Sequence, residues 1–304
     1  MRHVEAGQVT GGVWYLGREE SGIYLLEGLS SSMIVSGGMS WIIEDVLEQM
    51  DRFGIDESRI DKLLILHSHF DHVGLVPFFA RRIPGLTVYA SAPAWKVLGN
   101  PKAIETINKF NRITAEQHGR VDVLDARDLD WRDDVSGVVA AEGDRIDCGG
   151  LDVEIIEIPG HSSCSIAAYA PAVRALFPSD GGGIPFRDVI IPSGNSNYTR
   201  FQQSLEKMRP LPVDFFCADH GGFVTGDEAR CFIEDAIEAA REFRVLMERV
   251  YRRTGSVDAT VKRLVSLALA ARPDYFLPAE IMESVYTQMV RHVASAATGN
   301  NEQN

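Results

Sequence analysis

The stretch Leu63-Leu64-Ile65-Leu66-His67-Ser68-His69-Phe70-Asp71-His72-Val73-Gly74 decides how the chain is read. Its first four residues form an apolar run of the length expected for a buried strand. The run stops in three histidines and an aspartate within six positions. In extended chain, alternate side chains share a face, so His67 and His69 point the same way. Asp71 and His72 follow as the chain turns. Imidazole nitrogens with a carboxylate suit zinc, and also iron or manganese. The chain has eight histidines in all, and three of them are here.

Three further strand-like runs end in the same manner. The run 151–158 leads into Pro159-Gly160-His161. Residues 174–177 precede Pro178-Ser179-Asp180 and three glycines. Residues 212–218 lead into Asp219-His220-Gly221-Gly222. A single turn histidine or a lone aspartate before glycine is usually only solvated turn chemistry. Four strand ends that each carry His, Asp or both beside small residues point instead to one shared centre, since glycine lets backbones approach closely.

Around these runs the pattern alternates between sheet and helix. Residues 12–16, 22–27 and 33–35 are β-rich and bounded by glycine, as expected of antiparallel strands. Residues 42–53, 75–82, 92–97 and 101–120 have helical spacing, with a strand at 86–90. The Asp/Arg-rich stretch 121–137 is expected to be an exposed connection without chemistry. Residues 227–253, 257–271 and 277–297 read as three helices, with 299–304 as a disordered end. The domain expectation is a catalytic unit over 1–225 and a helical extension over 226–304 that caps the site or forms a dimer contact. Phe70, Phe186, Tyr198, Tyr275 and Phe276 are the aromatic candidates for its pocket walls.

Composition removes whole classes of function. The 304 residues carry 43 acidic against 30 basic side chains, a formal charge of −13. Such a surface gives no general attraction to nucleic acid or to anionic membranes. Cys148, Cys164, Cys217 and Cys231 are widely spaced and make neither a disulfide framework nor a structural zinc site. The first residues do not have the pattern of a secretory signal, and no apolar run reaches bilayer length. The expected compartment is the cytoplasm, and the expected partner a small molecule.

The ordered set His67-x-His69-x-Asp71-His72, His161, Asp180 and His220 closely resembles the metallo-β-lactamase fold superfamily, over roughly residues 10–225. The resemblance implies an α/β (α+β) architecture, a four-layer αβ/βα sandwich, here with a C-terminal helical cap. It implies that His67, His69 and His161 bind one metal, that Asp71, His72 and His220 bind a second, and that Asp180 bridges them. Zinc is the first expectation for the two divalent ions, with iron or manganese as alternatives. Two such ions sharing a water would lower its pKa towards about 7 and yield hydroxide for attack on an activated carbonyl. Asp71 is then the expected catalytic carboxylate, orienting the nucleophile and shuttling a proton. In one place the chain departs from the pattern. Where the superfamily commonly has an aspartate supporting these loops, this chain has Ser36, before Gly37 and Gly38, which puts the support of the loops in question.

A finer resemblance rests on His67 to Pro77, on Ser36-Gly37-Gly38 and on Phe276-Leu277-Pro278-Ala279-Glu280. These are similar to the quinolone-signal-response thioesterase branch. That implies hydrolysis of an acyl thioester with an apolar or aromatic acyl part. The alternatives are a lactonase or phosphodiesterase using the same centre, or a regulatory interaction protein with weak hydrolase activity. A homodimer through the tail helices is a further expectation.

Overall fold

A computed structural model describes residues 1–275, 277 and 279–297. Two seven-stranded sheets pack face to face. The first takes its strands in chain order, from Gly7–Thr10 to Gly137–Val139. Pairing is antiparallel as far as Ser32–Val35, then parallel through Ile60–Leu64 and Thr87–Ala90. The second runs from Arg2–His3 at one edge, through Phe223–Thr225, Phe215–Cys217, Ala175–Phe177, Ile166–Ala170 and Val153–Glu157, to Arg145–Ile146.

Adjacent residues of one strand serve different cores. Leu63 packs under the helices outside the first sheet, whereas Leu64 packs between the sheets. Ile34 and Val35 divide in the same way. In the second sheet Ile155 faces inward and Ile156 outward, under the helices Tyr198–Met208 and Gly226–Thr254. Strands covered on both faces tend towards continuous apolar runs, which is why polar alternation is missing from 63–66 and imperfect in 151–158. Burial of each such side chain contributes about 1.5–3 kcal/mol. The result is helix, sheet, sheet, helix, as expected.

The expected strands and helices are met with small changes of boundary, and three features differ from expectation. Residues 121–137 are not simply an exposed connection. They hold a helix, Val121–Arg127, followed by the buried Leu129 and Trp131. The apolar anchors are few and irregularly spaced among charges, so periodicity does not find them. Residues 184–211, for which the sequence sets no expectation, form the hairpin Ile184–Phe186/Val189–Ile191 and the helix Tyr198–Met208, capped by the Asn197 side chain. The 29-residue helix Gly226–Thr254 serves two layers. Phe232, Ile233, Ala236 and Ile237 cover the second sheet, while Met247 and Val250 join a separate cluster with Val257–Ala271 and Ala279–Ala297. The expected disorder of 299–304 falls outside the described residues.

Candidate metal centre

The histidine loop is held by backbone from both sheets. Leu66 O accepts from Ile166 N at 2.9 Å, tying the sheets together where the loop begins. Gly37 N donates to His72 O, and Gly74 N to Gly38 O, so the Ser36-Gly37-Gly38 turn is laced to the far side of the loop. A Cβ on Gly74 would come within 2.3 Å of Ser40 N, so only glycine permits this approach. From beneath, Trp131 Nε1 donates to Val73 O at 2.8 Å. That bond gives the stretch 121–137 a part in placing the site.

The structure brings all seven expected residues together. The sets His67/His69/His161, His67/His72/Asp180 and Asp71/His72/His220 each offer ligand atoms within 4.8 Å of one another and could hold a metal ion. His161 Nε2 lies 3.2 Å from His67 Nε2 and 2.9 Å from His69 Nδ1. His72 Nε2 lies 3.1 Å from His220 Nε2. Asp180 stands between the groups, its Oδ2 3.4 Å from both His161 Nε2 and His72 Nε2.

Outer contacts turn these rings inward. His161 Nδ1 donates to Ser193, with the carbonyl at 2.7 Å and Oγ at 2.8 Å. His220 Nδ1 donates to Glu20 O at 2.6 Å. His72 Nδ1 donates to Asp219 Oδ2 at 2.8 Å. In each case a proton on Nδ1 leaves the Nε2 lone pair facing the centre, the tautomer that a cation needs. Converging lone pairs at these distances repel unless a cation or proton lies between them. Asp180 Oδ1 is buried with no hydrogen-bond partner among the described residues. The residues therefore fit divalent cations.

Asp219 resolves the departure at Ser36. Its Oδ2 accepts from His72, from Ser36 Oγ at 2.8 Å and from Ser179 Oγ. The carboxylate missing from position 36 is supplied from the other sheet, and Ser36 has become one of its donors. Sequence reading passes over Asp219 as part of a turn beside His220; only its contact with a residue 147 positions away reveals its use.

The titration behaviour of the two halves differs. Burial, with neighbouring histidines, pushes His67 well below the usual imidazole range and His69 down to about 4. Burial also lowers His161, against the opposing pull of Asp180. In the other half burial is outweighed. The carboxylates of Asp180 and Asp71 raise His72 well above its ordinary value, and Asp180 and Asp71 also raise His220. Burial opposes ionisation of Asp71 and Asp180, yet the surrounding histidines hold both below the usual carboxylate range.

A cavity of about 760 Å³ opens onto His69, Asp71, His161, Asp180 and His220. Its walls come from the helix Pro101–Gln117, through Ile107 and Phe110, and from Ala279–Ala297, through Val285 and Met289. Phe70 and Tyr275 line it as expected. Phe186 does not. It packs edge-on behind Tyr275 at 5.1 Å and borders a neighbouring pocket instead. Tyr198 is fully buried, because its hydroxyl finds Ala240 O at 2.9 Å inside the helical layer. Phe276 lies outside the described residues.

Comparison with known proteins agrees with this geometry. The family model of the metallo-beta-lactamase superfamily matches residues 17–220, and the chain belongs to that superfamily. It is 25% identical over 209 residues to a metallo-beta-lactamase fold-containing protein of Sulfurisphaera tokodaii, covering 67% of this chain and 73% of that one. It is also 25% identical over 204 residues to a hydroxyacylglutathione hydrolase of Aeromonas hydrophila, covering 64% of this chain and 59% of the enzyme. Among solved structures, a metallo-beta-lactamase family protein of Thermus thermophilus superposes with a TM-score of 0.68 at 16% identity, covering 96% of this chain and 95% of that one. Among the described residues, no helix is long and apolar enough to cross a membrane.

Proposed function

We propose that this chain is a dinuclear metal-dependent hydrolase of acyl thioesters whose acyl part is apolar or aromatic. The observation that carries the reading is the cavity: its apolar helical walls end directly on Asp71, His161, Asp180 and His220. A relative named for hydrolysis of a hydroxyacylglutathione, itself a thioester, supports it. So does the electrostatics. Asp71 and Asp180 are both held ionised, so neither is a ready proton donor to a leaving group. A thiol, with an ordinary pKa of about 8.5, departs without strong acid help, unlike an alkoxide.

In this reading His67, His69 and His161 hold one cation, Asp71, His72 and His220 a second, and Asp180 faces both. Bound there, divalent cations supply Lewis-acid chemistry, polarising the carbonyl and acidifying a water. The protein's own share is positional. Asp219, Ser193 and Glu20 O fix the imidazole tautomers. Asp71, ionised and half-buried between His72 and His220, accepts a hydrogen bond from the attacking water and aligns it. The walls seat the acyl chain and exclude solvent from it. Among the described residues all four cysteines are unpaired, which suits a reducing cytoplasm.

The test is thiol release from a panel of acyl thioesters, run beside a lactone and bis-(p-nitrophenyl) phosphate with metal-loaded protein. The reading expects kcat/KM for the medium-chain acyl thioester to exceed that for the other two. A preference for the lactone or the phosphodiester overturns it.

A further inference from the structure

Two residues that line the cavity carry a buried side-chain oxygen with no hydrogen-bond partner among the described residues: Asp180 and Asn195. A cation held by the histidine groups around it would account for Asp180. Nothing among the described residues accounts for Asn195, which is only 9% exposed. A polar group left in that state destabilises the fold unless something else satisfies it.

The backbone around Asn195 is fixed to the metal centre. Ser193, two residues before it, holds His161 Nδ1 through both its carbonyl and its hydroxyl. Asn195 N donates to Ser193 O at 3.0 Å. Ser196 N and Asn197 N donate to Gly160 O, beside His161, at 3.0 and 2.9 Å. Asn197 then caps the helix Tyr198–Met208. The backbone that carries Asn195 is thus held from both sides, and its side chain lines the cavity that also opens onto His161 and Asp180.

We propose that the Asn195 carboxamide is a substrate-binding group that pairs with a secondary amide a few bonds from the scissile carbonyl. The inference rests on the thioester reading and narrows it to amide-bearing substrates. A carboxamide offers both a donor and an acceptor, and a secondary amide presents the complementary pair. A carboxylate or phosphate would call for a basic side chain, but among the described residues the one lysine or arginine bordering the cavity is Lys102, which is exposed on the helix Pro101–Gln117. Such an amide can come from either side of the thioester. It can lie in the thiol arm, as in cysteamine-type thiols, or in the acyl arm, as in N-acylaminoacyl groups. The apolar helical walls take the remainder of the acyl chain in both cases.

Binding of unreactive thioethers, measured by calorimetry on the intact metal-loaded chain, tests this apart from turnover. The ligands are S-octyl-N-acetylcysteamine, octyl ethyl sulfide, and an ethyl sulfide carrying an acetamide on its alkyl arm. One amide-bearing ligand is expected to bind at least about tenfold more tightly than octyl ethyl sulfide, a difference on the scale of a hydrogen-bonded pair; which one it is identifies the arm. Asn195→Ala is expected to erase that preference while still binding octyl ethyl sulfide, which shows that the cavity remains folded. Equal affinity of the wild-type chain for all three ligands, or a preference that survives Asn195→Ala, overturns the inference. The thioester reading fails separately, if these ligands discriminate as expected and yet no thioester is hydrolysed.

Discussion

The two ends of the cavity are built in opposite ways. At the candidate metal end three rings have a protein partner behind them: Ser193 behind His161, Glu20 O behind His220, Asp219 behind His72. Along the walls, Ile107 and Phe110 face the cavity from one helix, and Val285 and Met289 from another. One end is held by these contacts, and in the proposed reading it carries the chemistry. The other is a cleft between two helices far apart in sequence, and in that reading it selects the substrate. Changes at the metal end should therefore abolish the chemistry, and changes along the walls should shift preference.

Substitution of Asp180, the residue facing both groups, should break the comparison most completely. Removing Lewis-acid help worth several kcal/mol lowers kcat by roughly 10³-fold. Asp180→Asn, assayed with metal content measured in parallel, should show that loss together with a lower metal content. Activity near wild type would remove Asp180 from the centre.

Substitution of Asp219 should act at one remove. Asp219→Ser takes the carboxylate from behind His72, and metal affinity in a chelator competition should fall by about 10–100-fold. Adding Ser36→Asp should recover most of it. Position 36 already has φ of 70°, a conformation aspartate tolerates better than most residues. Failure of the double variant to recover would mean that the carboxylate's place in the second sheet matters beyond its charge.

Acidification separates the two halves of the metal end itself. Folding raises the pKa of His72 and His220 above the ordinary value of 6.5, so they hold protons that compete with a cation as pH falls towards and through that value. His67, His69 and His161 are lowered, His69 to about 4, and stay neutral and available further into acid. An acid titration followed with a spectroscopically visible ion should release the Asp71/His72/His220 cation first. Simultaneous loss, or the reverse order, contradicts the assignment.

The smallest effects belong to the walls. Each methylene added to the acyl chain should raise kcat/KM about 3–4-fold until the cavity is full, from about 0.8 kcal/mol per buried CH₂. Phe110→Ala should raise KM for long chains with kcat little changed, since that ring contacts ground state and transition state alike.

What could be read from the sequence follows the same division. His67, His69, Asp71 and His72 declare themselves because the loop packs four potential ligands into six positions, and His161, Asp180 and His220 because each follows an apolar strand beside small residues. Asp219 and Ser193 carry no such mark. Their use lies in contacts with His72 and His161, 147 and 32 positions away. Trp131 stays hidden among charges for the same reason. Aromatic content alone also misplaces walls. Tyr198 looks like a wall residue, but its hydroxyl is satisfied inside the helical layer, and Phe186 backs the wall that Tyr275 presents.

The most direct test of the central claim is thiol release from octanoyl-N-acetylcysteamine by chain whose bound metal has been counted. The account predicts two ions per chain, turnover that rises with the second ion, and loss of turnover on chelation with recovery on metal return. A chain that carries two ions and releases no thiol would contradict it.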